Sequence, residues 1–209
     1  MPIKVKKSEL FTIPNILCYV RLLLIPVFAV VYLKATEPRD YHIAAVVLIV
    51  AALTDSLDGF IARKMNMVTD WGKMIDPIID KLMQVVVALC LCKKHPLMWV
   101  VVVLLVIKEG YMAYKGWKNL KDGGKVYGAS WFGKVCTAIL FTTFAALIIF
   151  GNMPAWASNT LIVLNIIVML LVFWMYFVAF RRSEIEKRIK MRKQLREDGE
   201  EAEKPLERE

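Results

Sequence analysis

Apolar residues run along this chain in six long blocks, at about 13–33, 41–64, 71–92, 97–117, 131–150 and 159–180. Each block comes close to the roughly 20 residues that carry a helix across bilayer hydrocarbon. The polar links at 34–40, 65–71, 93–96 and 151–158 are short, so successive helices return antiparallel beside one another. The link at 118–134 is longer and irregular, with Lys118, Lys121, Lys125 and Lys134 among Gly123, Gly124, Gly128 and Gly133. The pattern predicts an all-α, polytopic membrane protein with six transmembrane helices, entered through an N-terminal interfacial segment. A soluble helical core does not account for apolar runs of this length and number.

Composition strengthens that picture. The chain is 58% hydrophobic, against about 45–50% for an ordinary soluble domain. The net charge of +9 is placed unevenly. Lys4, Lys6 and Lys7, the turn at Lys64, the 118–134 link and the basic stretch 181–196 all fall on one side of a six-span layout. The positive-inside rule makes that side the cytoplasm, with Lys93 and Lys94 as a minor exception across the membrane. The basic residues flank spans rather than forming a stripe with interleaved aromatics, so no nucleic acid is expected as a partner. Residues 197–209 are acidic and aperiodic and read as a disordered end. The domains expected are a membrane domain at 1–182 and a charged cytoplasmic tail at 183–209. The first apolar block is not a secretory signal, being too long and holding Arg21 and Pro26. Cys18, Cys90, Cys92 and Cys136 lack zinc spacing and read as small buried hydrophobes.

The candidate chemistry lies in residues 54–81. Asp55 and Asp58 close the second block, and Asp76 and Asp80 open the third. Spacings of three and four put each pair on one helix face. A short link puts both pairs at the same membrane depth, on the cytoplasmic side. Ionisable groups there are costly and mark function. Four carboxylates brought together call for a counterion, and a hard, oxygen-loving cation such as Mg²⁺ is the natural one. Gly59 and Gly72 allow backbone to approach a phosphate or nucleotide closely, and Arg63 offers a planar fork to a phosphate. Thr69 or Asp70 is expected to cap the third helix, and Pro77 to loosen it. Arg21 and Asn15 lie within the first span, and the arginine is expected to snorkel or to reach something anionic.

The run D-x2-D-G-x2-A-R-x8-G-x3-D-x3-D, formed by Asp55, Asp58, Gly59, Ala62, Arg63, Gly72, Asp76 and Asp80, resembles the signature of the CDP-alcohol phosphatidyltransferase family, with every spacing intact. The resemblance implies two Mg²⁺ (or Mn²⁺) ions on Asp55, Asp58, Asp76 and Asp80, with Asp80 also the base for the acceptor hydroxyl. It implies that Gly59, Ala62, Arg63 and Gly72 hold the cytidine diphosphate. CDP-diacylglycerol and an alcohol are then the substrates, CMP is released, the bilayer is the setting and a homodimer is a possible assembly.

Three further stretches bear on the alcohol. Residues 12–26 look like the opening of the family's bacterial phosphatidylglycerophosphate synthase branch. Residues 62–72 resemble that branch's linker, and 130–137 resemble its G-K-x-K-T segment. This implies glycerol 3-phosphate as acceptor, with Lys134, Lys108 and Arg21 as acceptor contacts. Cys136 replaces the second lysine of that segment, and Lys108 replaces an arginine, which keeps charge but loses bidentate geometry. Phosphatidylglycerol, as in a cardiolipin synthase, is the alternative acceptor, followed by inositol phosphate and serine. A cation transporter or channel is the alternative from another class.

Overall fold

In a computed structural model that describes residues 12–65, 69–121 and 131–202, the chain forms six helices. They are α1 (Ile13–Lys34), α2 (Pro38–Lys64), α3 (Asp70–Leu91), α4 (Met98–Lys121), α5 (Trp131–Ile149) and α6 (Ala155–Ala202). The described residues contain no strand. The expected interfacial segment at the N-terminus and the centre of the glycine-lysine link lie outside the described residues.

Helix ends follow local chemistry. Pro14 and Pro38 sit in the first turns of α1 and α2, where a missing N–H costs nothing. Asp40 accepts from the backbone N–H groups of Thr36 and Glu37 at 3.0 and 3.1 Å, closing the start of α2. Thr69 caps α3 by accepting from the N–H of Gly72 at 3.0 Å, as one of the two sequence readings has it. Pro26 and Pro77 lie inside continuous helices.

α1, α2, α4 and α6 extend past the expected spans, α6 most of all. Residues 197–202, read from sequence as aperiodic and disordered, continue that helix. Their Glu and Ala are good helix formers, and propensity decides where no apolar face is needed.

The helices are apolar outside as well as in. Leu23, Ile78, Leu171 and Trp174 are exposed large hydrophobics, while Asn15, Arg21, Asp58, Gln84, Lys108 and Asn165 are buried. This inversion suits a bundle whose solvent is lipid, where polar side chains must find partners inside. Asn165 on α6 donates to Thr143 on α5 at 3.0 Å in that way. Among the described residues, four helices (α1, α2, α5 and the first part of α6) are long and apolar enough to cross a membrane by length and composition. α3 and α4 are of similar length but carry more charged residues, among them Asp76, Asp80 and Lys81 on α3 and Lys108, Glu109 and Lys115 on α4. The chain is a polytopic integral membrane protein. α1 packs chiefly on α2 and α3, α4 on α3 and α6, and α5 on α2 and α6.

Candidate active site

The α1–α3 contact sets the geometry. Near the start of α1, Asn15 donates to Thr69 at 3.2 Å, and Trp71 donates to the Tyr19 hydroxyl at 3.0 Å. Gly72 lies under Asn15, where an added β-carbon would stand 2.7 Å from the side-chain oxygen. The absent side chain therefore lets α3 lie close to α1. That brings Arg21, two turns further along α1, level with the aspartates of α2 and α3.

Arg21 is 2% exposed. Its Nη1 meets Asp55 at 2.9 Å and Asp80 at 2.5 Å, while Nη2 meets Asp58 at 2.5 Å. One guanidinium thus joins both aspartate pairs. Asp76 is reached differently, by the thiol of Cys18, which lies 3.7 Å from Asp58 as well. Cys18 is buried as expected, yet its thiol serves these carboxylates and is not simply an apolar filler. Asp58 is the most enclosed carboxylate of the three on Arg21, and Asp55 is half exposed. Among the described residues, no three of the aspartates, glutamates, histidines and cysteines form a ready metal cage.

Beside this cluster opens a cavity of about 600 Å³. Arg21, Asp55 and Asp80 line one part of it. Lys81, Lys108, Glu109 and Lys134 line another. Glu109 Oε1 pairs with Lys81 at 3.0 Å and with Lys108 at 2.8 Å. Lys108 is buried, and Lys134 is exposed at the start of α5. Gly133 backs onto the Tyr176 hydroxyl, leaving no room for a β-carbon where α5 meets α6. Cys136, one turn along from Gly133, is 2% exposed.

The structure therefore brings together Arg21, Asp55, Asp58 and Asp80, with Asp76 attached through Cys18, and places Lys108 and Lys134 on the lining of the same cavity as Arg21, Asp55 and Asp80. Gly59 follows Asp58 on α2. Ala62 and Arg63 lie on the last turn of α2, and their side chains fall outside the described residues. Lys81 was not singled out by sequence reasoning, although it follows Asp80 directly. Only the packing of α3 on α4 joins it to Glu109.

Residues 11–177 match the family described as CDP-alcohol phosphatidyltransferase. This chain belongs to the CDP-alcohol phosphatidyltransferase family. It is an enzyme, a transferase of phospholipid biosynthesis. Its relatives include the CDP-diacylglycerol–glycerol-3-phosphate 3-phosphatidyltransferase of Escherichia coli (strain K12), 31% identical over 181 residues, 84% of this chain and 97% of the relative. The protein of the same name from Bacillus subtilis (strain 168) is 31% identical over 157 residues, 69% of this chain and 80% of the relative. The CDP-alcohol phosphatidyltransferase match takes in all five helices α1 to α5 and most of the membrane part of α6, so it covers every residue named as lining the cavity.

Proposed function

We propose that this phosphatidyltransferase joins CDP-diacylglycerol to the hydroxyl of glycerol 3-phosphate, releasing CMP. The observation that carries the reading is that one cavity is lined both by carboxylates of the Arg21 cluster, Asp55 and Asp80, and by the lysines Lys81, Lys108 and Lys134. Glycerol 3-phosphate has a hydroxyl for the first and a phosphate for the second. The names of the two bacterial relatives point to the same acceptor.

In this reading, the acceptor oxygen forms a bond to the phosphorus that carries diacylglycerol. The bond from that phosphorus to the CMP oxygen breaks, and CMP leaves with the electron pair. Asp80 takes the hydroxyl proton, which requires it close to the acceptor oxygen. Lys108, Lys134 and Lys81 hold the acceptor's phosphate and fix the hydroxyl's direction of approach. Arg21 joins them as an acceptor contact. Gly59, Ala62, Arg63 and Gly72 hold the cytidine diphosphate.

The donor set fits a divalent cation. Four carboxylates from two helices offer hard oxygens, and three of them already share a cation in Arg21. Asp55, Asp58, Asp76 and Asp80 would hold Mg²⁺ or Mn²⁺. Bound there, the metal would neutralise the diphosphate and the departing CMP. The site is read as facing the cytoplasm. Lys64 ends α2, Lys118 lies in the last turn of α4, and Arg181 and Arg182 close the apolar part of α6, all at the cluster's end of the bundle, as the positive-inside rule requires. A homodimer agrees with the family resemblance.

The test is CMP release by the purified protein in detergent with Mg²⁺, offered glycerol 3-phosphate, phosphatidylglycerol, inositol phosphate or serine in parallel. Release with glycerol 3-phosphate alone supports the proposal. Release with phosphatidylglycerol instead reassigns the enzyme to cardiolipin synthesis, and release with none of the four defeats the acceptor assignment.

A further inference from the structure

Arg21 is unusual among the site residues because, although it lines the cavity with the lysines, its guanidinium is already engaged by carboxylates. It is spent on Asp55, Asp58 and Asp80, the same carboxylates that the proposed function gives to a divalent metal. The contacts at 2.5 Å to Asp58 and Asp80 leave no space between guanidinium and carboxylate for a second cation. A metal takes such oxygens at about 2.0–2.6 Å and needs a clear position among them. Yet Arg21 is not fully satisfied where it lies, since its buried Nε has no hydrogen-bond partner among the described residues.

Resting on the divalent-metal reading above, we infer that Arg21 is an exchangeable internal cation: it holds the aspartate cluster together in the metal-free enzyme and is displaced into the cavity when metal binds. Uncompensated carboxylates at this depth would repel one another and drive the ends of α2 and α3 apart. The guanidinium prevents that before any metal arrives. Arg21 already lines the cavity, so release into it needs rotamer changes and no helix movement. Once released, the planar fork faces the lysines and becomes a phosphate donor, supplying a cation on the side of the site where Cys136 has none. Metal loading and completion of the acceptor pocket thereby become one event.

The exchange has a signature outside catalysis. A metal that must first evict Arg21 binds with an affinity lowered by the fraction of protein in which the carboxylates are free. The experiment is Mn²⁺ alone titrated into metal-stripped protein in detergent, followed by calorimetry, with melting curves in parallel. R21Q is expected to bind Mn²⁺ at least about tenfold more tightly than the unaltered protein, because no eviction remains. Metal-stripped R21Q is expected to melt below the metal-stripped unaltered protein, and Mn²⁺ to close that gap. K81Q removes a neighbouring positive charge without freeing the carboxylates, and its affinity is expected to stay within about threefold.

Equal Mn²⁺ affinity in R21Q and the unaltered protein overturns the exchange and leaves the metal reading standing. An increase in K81Q as large as that in R21Q also overturns it, assigning the effect to the general field. No Mn²⁺ binding by either R21Q or the unaltered protein overturns both the exchange and the metal. Should R21Q fail to fold, R21K keeps the charge without the fork. It is expected to bind Mn²⁺ more tightly than the unaltered protein, and unchanged affinity there overturns the exchange equally.

Discussion

Two charge centres share one cavity, and they are opposites. At the first, one guanidinium stands among aspartates from two helices. At the second, one carboxylate, Glu109, stands between two lysines, with Lys134 nearby. Each centre is left with a surplus of one sign, negative at α2–α3 and positive at α3–α4–α5. A buried cluster with a surplus has a standing demand for a ligand of the other sign. The first demands cations and the second anions, and a phosphorylated alcohol with a divalent metal meets both. Had either centre been neutral, the cavity would be a polar hole with no preferred occupant. The difference also shows how one helix serves both, because Asp80 and its neighbour Lys81 take different directions from α3.

The largest effect is expected from emptying the first centre. Chelation with EDTA should reduce CMP release to background, and Mg²⁺ or Mn²⁺ should restore it. Metal-independent turnover would remove the role assigned to the aspartates. Next comes D80N, expected to lower turnover by about 10²–10⁴-fold while the protein still reaches the membrane fraction. Near-normal CMP release by this variant would exclude Asp80 as the base. D58N is expected to be as severe, because it alters the most enclosed carboxylate on Arg21.

The second centre breaks differently. Both K108Q and K81Q should raise KM for glycerol 3-phosphate, by about 10- to 100-fold, as expected for a lost charged hydrogen bond. KM for CDP-diacylglycerol should change little. If the two KM values rise together, the centres are not divided by substrate. The smallest effect belongs to Glu184, outside the membrane-spanning part of α6, which pairs with Lys115 on α4 at 2.7 Å. E184Q should cost no more than about 1 kcal/mol, since the pair is partly exposed and open to screening. The hydrogen bond from Lys115 holds the Glu184 carboxyl below its ordinary pKa. Its contribution is therefore present above the unfolded carboxyl's pKa and fades as pH falls through the lower folded value. Melting curves of both proteins from neutral to acid pH would show the difference vanish in acid.

The first centre was far more legible in sequence than the second. Asp55, Asp58, Asp76 and Asp80 announce themselves because charge inside an apolar run is rare, and their spacing identifies the faces. Thr69 is legible too, as a capping residue just before the third apolar block. Arg21 was visible as an anomaly, but its partners lie at least 34 positions away and on two other helices. Nothing local encodes that three-way contact. Lys81 and Glu109 were obscured for a similar reason. A lysine next to an aspartate reads as its neighbour, whereas on a helix it points to a different partner. Cys18 carried no sequence signal at all, because a thiol among leucines looks apolar until a carboxylate is found beside it. The basic stretch 181–196 has helical composition and continues α6, whereas the helix at 197–202 is not legible by periodicity, the wrong guide where no apolar neighbour is faced.

At the end of the bundle away from the site, Lys93 donates to the carbonyl of Leu33 at 2.8 Å, and Lys94 donates to the carbonyl of Gly151. These are the two lysines that sit against the charge rule. With the site facing the cytoplasm, as proposed, they would be cargo carried across the bilayer during insertion. On arrival each meets a carbonyl that a helix end or loop has left open. Two charges that oppose translocation thus become latches afterwards, and pulling the α3–α4 hairpin back would mean opening both.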